Sequence, residues 1–142
     1  MQSAATTLNL AAIVRHNANL SPHNEAVVWD TMRLTYRELD ELSNRVANAL
    51  VEMGIGHGDN VALNCPNLPF FPIVYYAIMK VGAAVVPLCV LFKADELEYH
   101  LRDSEAKAVF VFEGSSDLPL LAETKKAFDR VDTCATLVVL TK

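Results

Sequence analysis

Two rhythms of apolar and polar positions run along this chain. The three-and-four spacing of an amphipathic helix is clearest after residue 35. There Leu39, Leu42, Val46, Ala49, Leu50 and Met53 form one stripe, with Arg37, Glu41, Asn44, Arg45, Asn48 and Glu52 mostly opposite. Thr35-Tyr36-Arg37-Glu38 reads as a capping box opening this helix, and Gly54 ends it. A shorter helix is predicted over Leu10–Asn19, stopped by Ser21-Pro22. Glu25–Trp29 and Met32–Leu34 read as two strands of a small hairpin turning at Asp30-Thr31. From Asn60 onward, short apolar strands alternate with helices. Strands are predicted at Asn60–Leu63, Ala84–Leu88, Ala108–Phe112 and Ala135–Leu140, with helices at Ala94–Arg102 and Pro119–Phe128, the latter with Asp117 as a possible cap. This βαβ alternation predicts an α/β fold: a mainly parallel sheet with helices on both faces and right-handed crossovers.

The segment Leu68–Phe92 admits two readings. Its length and apolarity would allow a membrane span, since about 20 apolar residues cross a bilayer. Pro69, Pro72, Gly82 and Pro87 interrupt it, however, and the central Lys80 would cost roughly 2.5–3.5 kcal/mol in lipid. The punctuation favours a buried helix capped by Asn67, with Pro69 in its first turn and Lys80 at the negative end of its dipole. Gly82 then takes the left-handed position beyond the helix, and Ala84–Leu88 follows as a strand covered on both faces.

Composition narrows the possibilities further. The chain has 142 residues, enough for a single domain with a substantial core, and shows no internal boundary or repeat. A net charge of −5 and the absence of any Lys/Arg cluster argue against a nucleic-acid partner. Cys65, Cys89 and Cys134 are too few and too dispersed for a disulfide framework or zinc site, which fits a reducing cytoplasm. The N-terminus lacks the basic start and apolar stretch of a signal peptide. Hydrophobic residues make up 52% and charged residues 20%, against about 25% charged in typical soluble domains. Ordinary variation accounts for this; so does a surface normally covered by further polypeptide, which leaves open a homodimer through uncovered apolar surface.

Chemistry is harder to find. Gly54, Gly56 and Gly58 follow a helix and precede a strand, the reverse of a phosphate-binding loop, so they read as a helix stop and a turn, with His57 solvated. Asp40, Glu41, Asp95, Glu96 and Glu98 are expected on solvated helix faces, and His100 is expected to be structural. No catalytic, cofactor-binding or metal-binding residue is predicted within the chain.

Two segments carry a resemblance. Leu34–Leu39 with Ser43–Leu50 resembles the first core motif of the adenylate-forming (AMP-binding) enzymes, and Met79–Leu88 resembles the second. Gly58–Leu63, Cys65-Pro66-Asn67, Glu96–Leu101 and Asp103-Ser104 fall where that family has similar segments. Within the family the chain looks most like a fatty acyl-CoA synthetase, with aryl-CoA ligases and peptide-synthetase adenylation domains as other relatives. Lys93 stands where relatives often have a capping Thr, and Cys89 and Val90 where Asn and Pro are common.

The resemblance implies a two-step reaction. A carboxylate attacks the α-phosphate of ATP with Mg²⁺ present, releasing pyrophosphate, and the thiol of coenzyme A then displaces AMP. It also implies that the phosphate loop, the nucleotide contacts and the adenylation lysine lie beyond Lys142. Residues 1–142 are thus expected to be an N-terminal subdomain fragment, inactive alone and at most peripherally associated with membranes. A non-catalytic interaction module and a small nucleotide-binding domain are the alternatives from other classes.

Overall fold

The computed structural model describes residues 9–141. In chain order the elements are α1 (Ala11–Leu20), β1 (Glu25–Trp29), β2 (Met32–Thr35), α2 (Tyr36–Glu52), β3 (Asn60–Asn64), α3 (Phe70–Lys80), β4 (Ala84–Pro87), α4 (Ala94–Asp103), β5 (Ala108–Phe112), α5 (Leu120–Phe128) and β6 (Thr136–Leu140). β1 and β2 form the expected antiparallel hairpin, with Trp29 opposite Met32 and a register shift between Glu25 and Val27. The other four strands form a parallel sheet in the order β4-β3-β5-β6.

Alternation along the central strands sorts the core into two layers. Val61 and Leu63 of β3 and Phe110 and Phe112 of β5 pack with Leu50 of α2 and Val74, Ala77 and Ile78 of α3. Ala62 and Val109, on the other face, pack with Leu97 and Leu101 of α4 and Ala127 of α5. α1 lies against α2 and α3, anchored by the buried Ala11 and Val14. The long apolar segment resolves into α3, a turn at Gly82 (φ +78°) and β4. Among the described residues no helix is long and apolar enough to cross a membrane.

Several expectations change in detail. β4 is an edge strand, exposed at Ala84 and Pro87 and half-buried between, instead of covered on both faces. Pro87 suits an edge because it has no N–H to offer a further strand. α3 begins at Phe70 with Pro69 at its cap position and no side-chain cap, so Asn67 does not serve. α5 likewise starts behind Pro119 without a side-chain cap; Asp117 plays no such part, and the Ser115 hydroxyl instead accepts from the Leu118 amide at 3.2 Å. On α2 the deeply buried line is Leu39, Ser43, Ala47 and Leu50, rotated from the predicted stripe, and Met53 is exposed. Small side chains at 43 and 47 let neighbouring helices approach where larger ones would hold them off.

That rotation explains a further correction. Asp40 is not on a solvated face. The three N–H groups of the Lys80 ammonium, at the end of α3, are shared among four acceptors: the Asp40 carboxylate at 2.7 Å, the Asp40 carbonyl at 3.0 Å, the Ser43 hydroxyl at 2.7 Å and the Asn44 side-chain oxygen at 2.8 Å. The Lys80 and Asp40 side chains are 13% and 19% exposed. The Ser43 hydroxyl in turn donates a hydrogen bond to the Leu39 carbonyl at 2.7 Å, so the buried group is satisfied. The ammonium pins α3 to α2 by its charge and directed bonds, beyond what apolar contact supplies. Replacing Lys80 with Met, which keeps most of the stem volume, is expected to lower stability by about 2 kcal/mol. Urea unfolding checks this through a lower midpoint at unchanged slope; an unmoved midpoint would show that the cluster adds nothing.

Candidate functional site

In an open parallel sheet, ligands bind outside the carboxyl ends of the strands, at the point where the crossovers change direction. Here β3 leads through α3 to β4 on one side, whereas β5 leads through α5 to β6 on the other. The helices leave toward opposite faces, so the carboxyl ends of β3 and β5 diverge into a crevice. Its walls are the turns Cys65-Pro66-Asn67-Leu68-Pro69 and Glu113-Gly114-Ser115-Ser116-Asp117. Across it, Phe70 at the start of α3 stacks on Phe112 at the end of β5, with centroids 6.2 Å apart. A cleft of about 430 Å³ opens beside the β5 turn, lined by Glu113, Gly114, Ser115, Pro119, Leu121 and Ala122. Gly114 (φ +84°) is required there, since a Cβ would meet the Leu118 carbonyl oxygen at 2.3 Å.

Deeper in, Asn64 is fully buried at the end of β3 and donates to the Thr124 hydroxyl of α5 at 2.9 Å. Among the described residues its Oδ1 has no partner. Cys65, the next residue, is also buried, which pushes its thiol up to about 11 and keeps it protonated at neutral pH. It is no nucleophile in this state.

The loops can be tested for a phosphate cradle, which needs a row of free backbone amides. The turn before α3 has Pro66, Pro69 and Pro72, none with an N–H, and the Phe71 amide is bound to the Leu68 carbonyl at 2.9 Å. At the start of α4, the amides of Lys93 and Ala94 donate to the carboxylates of Glu96 and Glu123, each at 3.0 Å, so two negative charges stand where a phosphate would bind. Before α5, Pro119 lacks an N–H and the Leu120 amide is bound to the Leu118 carbonyl at 2.9 Å. The starts of these three helices therefore offer no row of free amides for a triphosphate. Among the described residues no group of three His, Cys, Asp or Glu side chains could hold a metal ion.

The amino edge of the sheet is a different surface, closed by hydrogen bonds. The Gly58 amide donates to the Gly82 carbonyl at 3.2 Å, joining the glycine turn before β3 to the turn before β4. Asp59 accepts from the Gly56 amide at 2.9 Å and pairs with Lys107 at 2.7 Å. Asn60 donates to the Ser104 carbonyl at 2.7 Å. The three glycines thus lie at the opposite edge from the crevice, with His57 exposed beside Gly82. The α4 carboxylates also have local tasks: Asp95 and Glu98 pair with Arg130 at 2.9 and 3.2 Å, and Glu98 with Arg102 at 2.8 Å. His100 stacks on Phe92 at 4.8 Å. The Asn64–Thr124 pair is the feature that sequence reading missed. Its only signal was a polar residue closing an otherwise apolar strand.

The family described as "AMP-binding enzyme" matches residues 14–141. The chain is 35% identical over 115 residues to a long-chain-fatty-acid–CoA ligase, FadD13, of Mycobacterium tuberculosis, a match covering 80% of this chain and 22% of the relative. It is 34% identical over 106 residues to a dimodular nonribosomal peptide synthase of Bacillus subtilis, covering 75% of this chain and 4% of that protein. Its structure is similar to that of the anthranilate CoA ligase AuaEII, with TM-score 0.85 and 25% identity over 94% of this chain and 25% of that one. The chain therefore spans about a fifth of the length of the fatty-acid ligase and less of the synthase.

Two outcomes follow from the electrostatics. Cys89 is exposed, whereas burial holds the Cys65 and Cys134 thiols up at about 11. A thiol reagent at neutral pH should modify Cys89 and spare the other two until the chain unfolds, as peptide mapping would read; equal labelling of all three in the native state refutes this. Four carboxyls are held below their usual range: Glu38 by the Thr35 amide and hydroxyl, Asp59 by Lys107 and the Gly56 amide, Glu98 by Arg102 and Arg130, and Glu123 by Lys126 and the Ala94 amide. The fold favours their charged forms. Their stabilisation is complete above the unfolded carboxyl values of about 4 and is lost as pH falls through the lower folded values. The urea midpoint should drop on acidification below about pH 4.5; a midpoint that rises there would reverse the sign.

Proposed function

The chain belongs to the AMP-binding enzyme family, and from that premise we propose that it is the N-terminal part of a ligase that activates fatty acids with ATP and passes them to coenzyme A. In the first step a carboxylate oxygen bonds to the α-phosphorus as pyrophosphate leaves. In the second, the thiol sulfur bonds to the acyl carbon as AMP leaves. Charge building up on the phosphoryl oxygens needs cations and preorganised donors around it. On this reading ATP, Mg²⁺ and coenzyme A are bound with the help of polypeptide outside these 142 residues.

The likeness to the mycobacterial fatty-acid ligase is the observation that carries the reading. The loop chemistry supports the division of labour. Prolines, engaged amides and the Glu96 and Glu123 carboxylates leave the starts of α3, α4 and α5 without a row of free amides for a triphosphate. The part played by this chain is then mechanical: a rigid parallel sheet that holds its carboxyl-edge loops in place for the rest of the enzyme.

The 142-residue chain alone is expected to release no pyrophosphate above background from ATP and Mg²⁺ with any acid offered. A longer polypeptide containing these residues should do so with fatty acids in preference to aryl and amino acids. Turnover by the short chain would overturn the assignment of the chemistry to other residues, and preference for an aryl or amino acid would overturn the substrate class.

A further inference from the structure

β3 and β4 run side by side from Asn60 opposite Ala84 to Leu63 opposite Pro87. The pairing goes one step further. The Leu88 amide donates to the Leu63 carbonyl at 2.9 Å, just as the Ala84 amide donates to the Asp59 carbonyl at 2.8 Å at the other end, which sets Asn64 opposite Leu88. The next residue on each segment is a cysteine, Cys65 and Cys89. Side chains alternate between the two core layers. Val85 packs against the layer that holds Leu63 and Cys65, whereas Val86 and Leu88 belong with the opposite one. The step from Leu88 to Cys89 therefore turns back toward the side of Cys65. Partners on adjacent strands stand about 4.8 Å apart, within the roughly 4.4–6.8 Å between α-carbons that a disulfide spans. Cys65 is 4% exposed and Cys89 is open to solvent; the third cysteine, Cys134, is buried in the opposite layer.

We propose that Cys65 and Cys89 form a reversible disulfide, a redox-modification site that joins the carboxyl ends of β3 and β4. The oxidant is a low-molecular-weight disulfide such as glutathione disulfide. The exposed Cys89 sulfur, as thiolate, bonds to one glutathione sulfur; the S–S bond breaks and one glutathione leaves as thiolate. The Cys65 sulfur then bonds to the Cys89 sulfur, the mixed disulfide breaks and the second glutathione leaves. Two protein thiols are oxidised, one glutathione disulfide is reduced to two thiols, and the two cysteine protons pass to them. Burial holds the Cys65 thiol up at about 11, so its thiolate is scarce at neutral pH. A nucleophile held against its target nevertheless reacts at a high effective concentration. An exposed thiol beside a resolving one is the arrangement of redox sensors. The bond fastens the turn Cys65-Pro66-Asn67-Leu68-Pro69, one wall of the crevice, to the turn that follows β4, and excess reduced thiol releases it. The proposal rests on strand register and stands independently of the acid-activating reading.

Glutathione disulfide added to the dilute 142-residue chain at mildly alkaline pH should yield a monomer lighter by two hydrogens. Peptide mapping should find the Cys65 and Cys89 peptides joined, and excess dithiothreitol should separate them. Cys65→Ser should stop at a glutathione adduct on Cys89, and Cys134→Ser should change nothing. Alkylating Cys89 beforehand leaves a thioether that no thiol can displace and should abolish the bond, a readout that needs no variant to fold. In urea, where register is lost, the selectivity for this pair should disappear. Thiols left unreacted, a lasting adduct on Cys89 of the unmodified chain, a bond to Cys134, a disulfide between chains, or selectivity retained in urea would each overturn the proposal.

Discussion

Parallel pairing of β3 with a strand on each side is the constraint from which the rest of this fold follows. Asn60–Leu63 align with Ala84–Pro87 on one flank, and Val61–Asn64 with Ala108–Val111 on the other. Parallel neighbours cannot be joined by a tight turn, so every connection must cross over the sheet through a helix. Because β4 and β5 lie on opposite sides of β3, right-handed crossovers send α3 to one face and α4 to the other. Both faces of β3 are therefore buried, and Val61, Ala62, Leu63 and Asn64 have no measurable exposure. The two helical layers, the two cores and the crevice between β3 and β5 are consequences of one strand order.

The two ends of that sheet are built for different purposes. At the amino edge, the bonds of Gly58, Asp59 and Asn60 to residues that precede β4 and β5 fix the strands in register. At the carboxyl edge lie a cleft and a buried Asn64 whose Oδ1 has no partner among the described residues. A buried acceptor without a donor costs on the order of 1–3 kcal/mol, an expense at the edge where α/β sheets carry ligands and not in the core that holds them together. The bonds that set register thus lie at the amino edge, and the crevice and its cleft at the carboxyl edge.

Lys80 links the two segments by which the chain resembles its family. Leu34–Leu39 with Ser43–Leu50 is far in sequence from Met79–Leu88, yet the Lys80 ammonium of the second is bonded to Ser43 and Asn44 of the first and to Asp40 between its two parts. Nothing in local periodicity announces that. Lys80 closes an apolar helix and reads as a dipole partner; Asp40 and Asn44 read as solvated polar positions on an amphipathic one. The reading failed at Asp40 because helical spacing identifies an apolar stripe but not which polar residues beside it a neighbouring helix will cover. The cap predictions at Asn67 and Asp117 failed for a related reason. Prolines at 69 and 119 start their helices later than a polar cap two residues upstream can reach.

By itself the sequence determined the identity and order of the elements, since a capping box, left-handed glycines and strictly local hydrophobic periods act over a few residues. The α/β class and the parallel sheet were legible for the same reason: strand–helix alternation leaves few ways to bury both. Only the tertiary structure decided which strands stand at the edges, which polar residues of α2 meet Lys80, and where Asn64 finds Thr124, sixty residues away. Those outcomes depend on non-local contacts, whose cost in chain entropy is met by the whole core at once and leaves no local trace in composition or spacing.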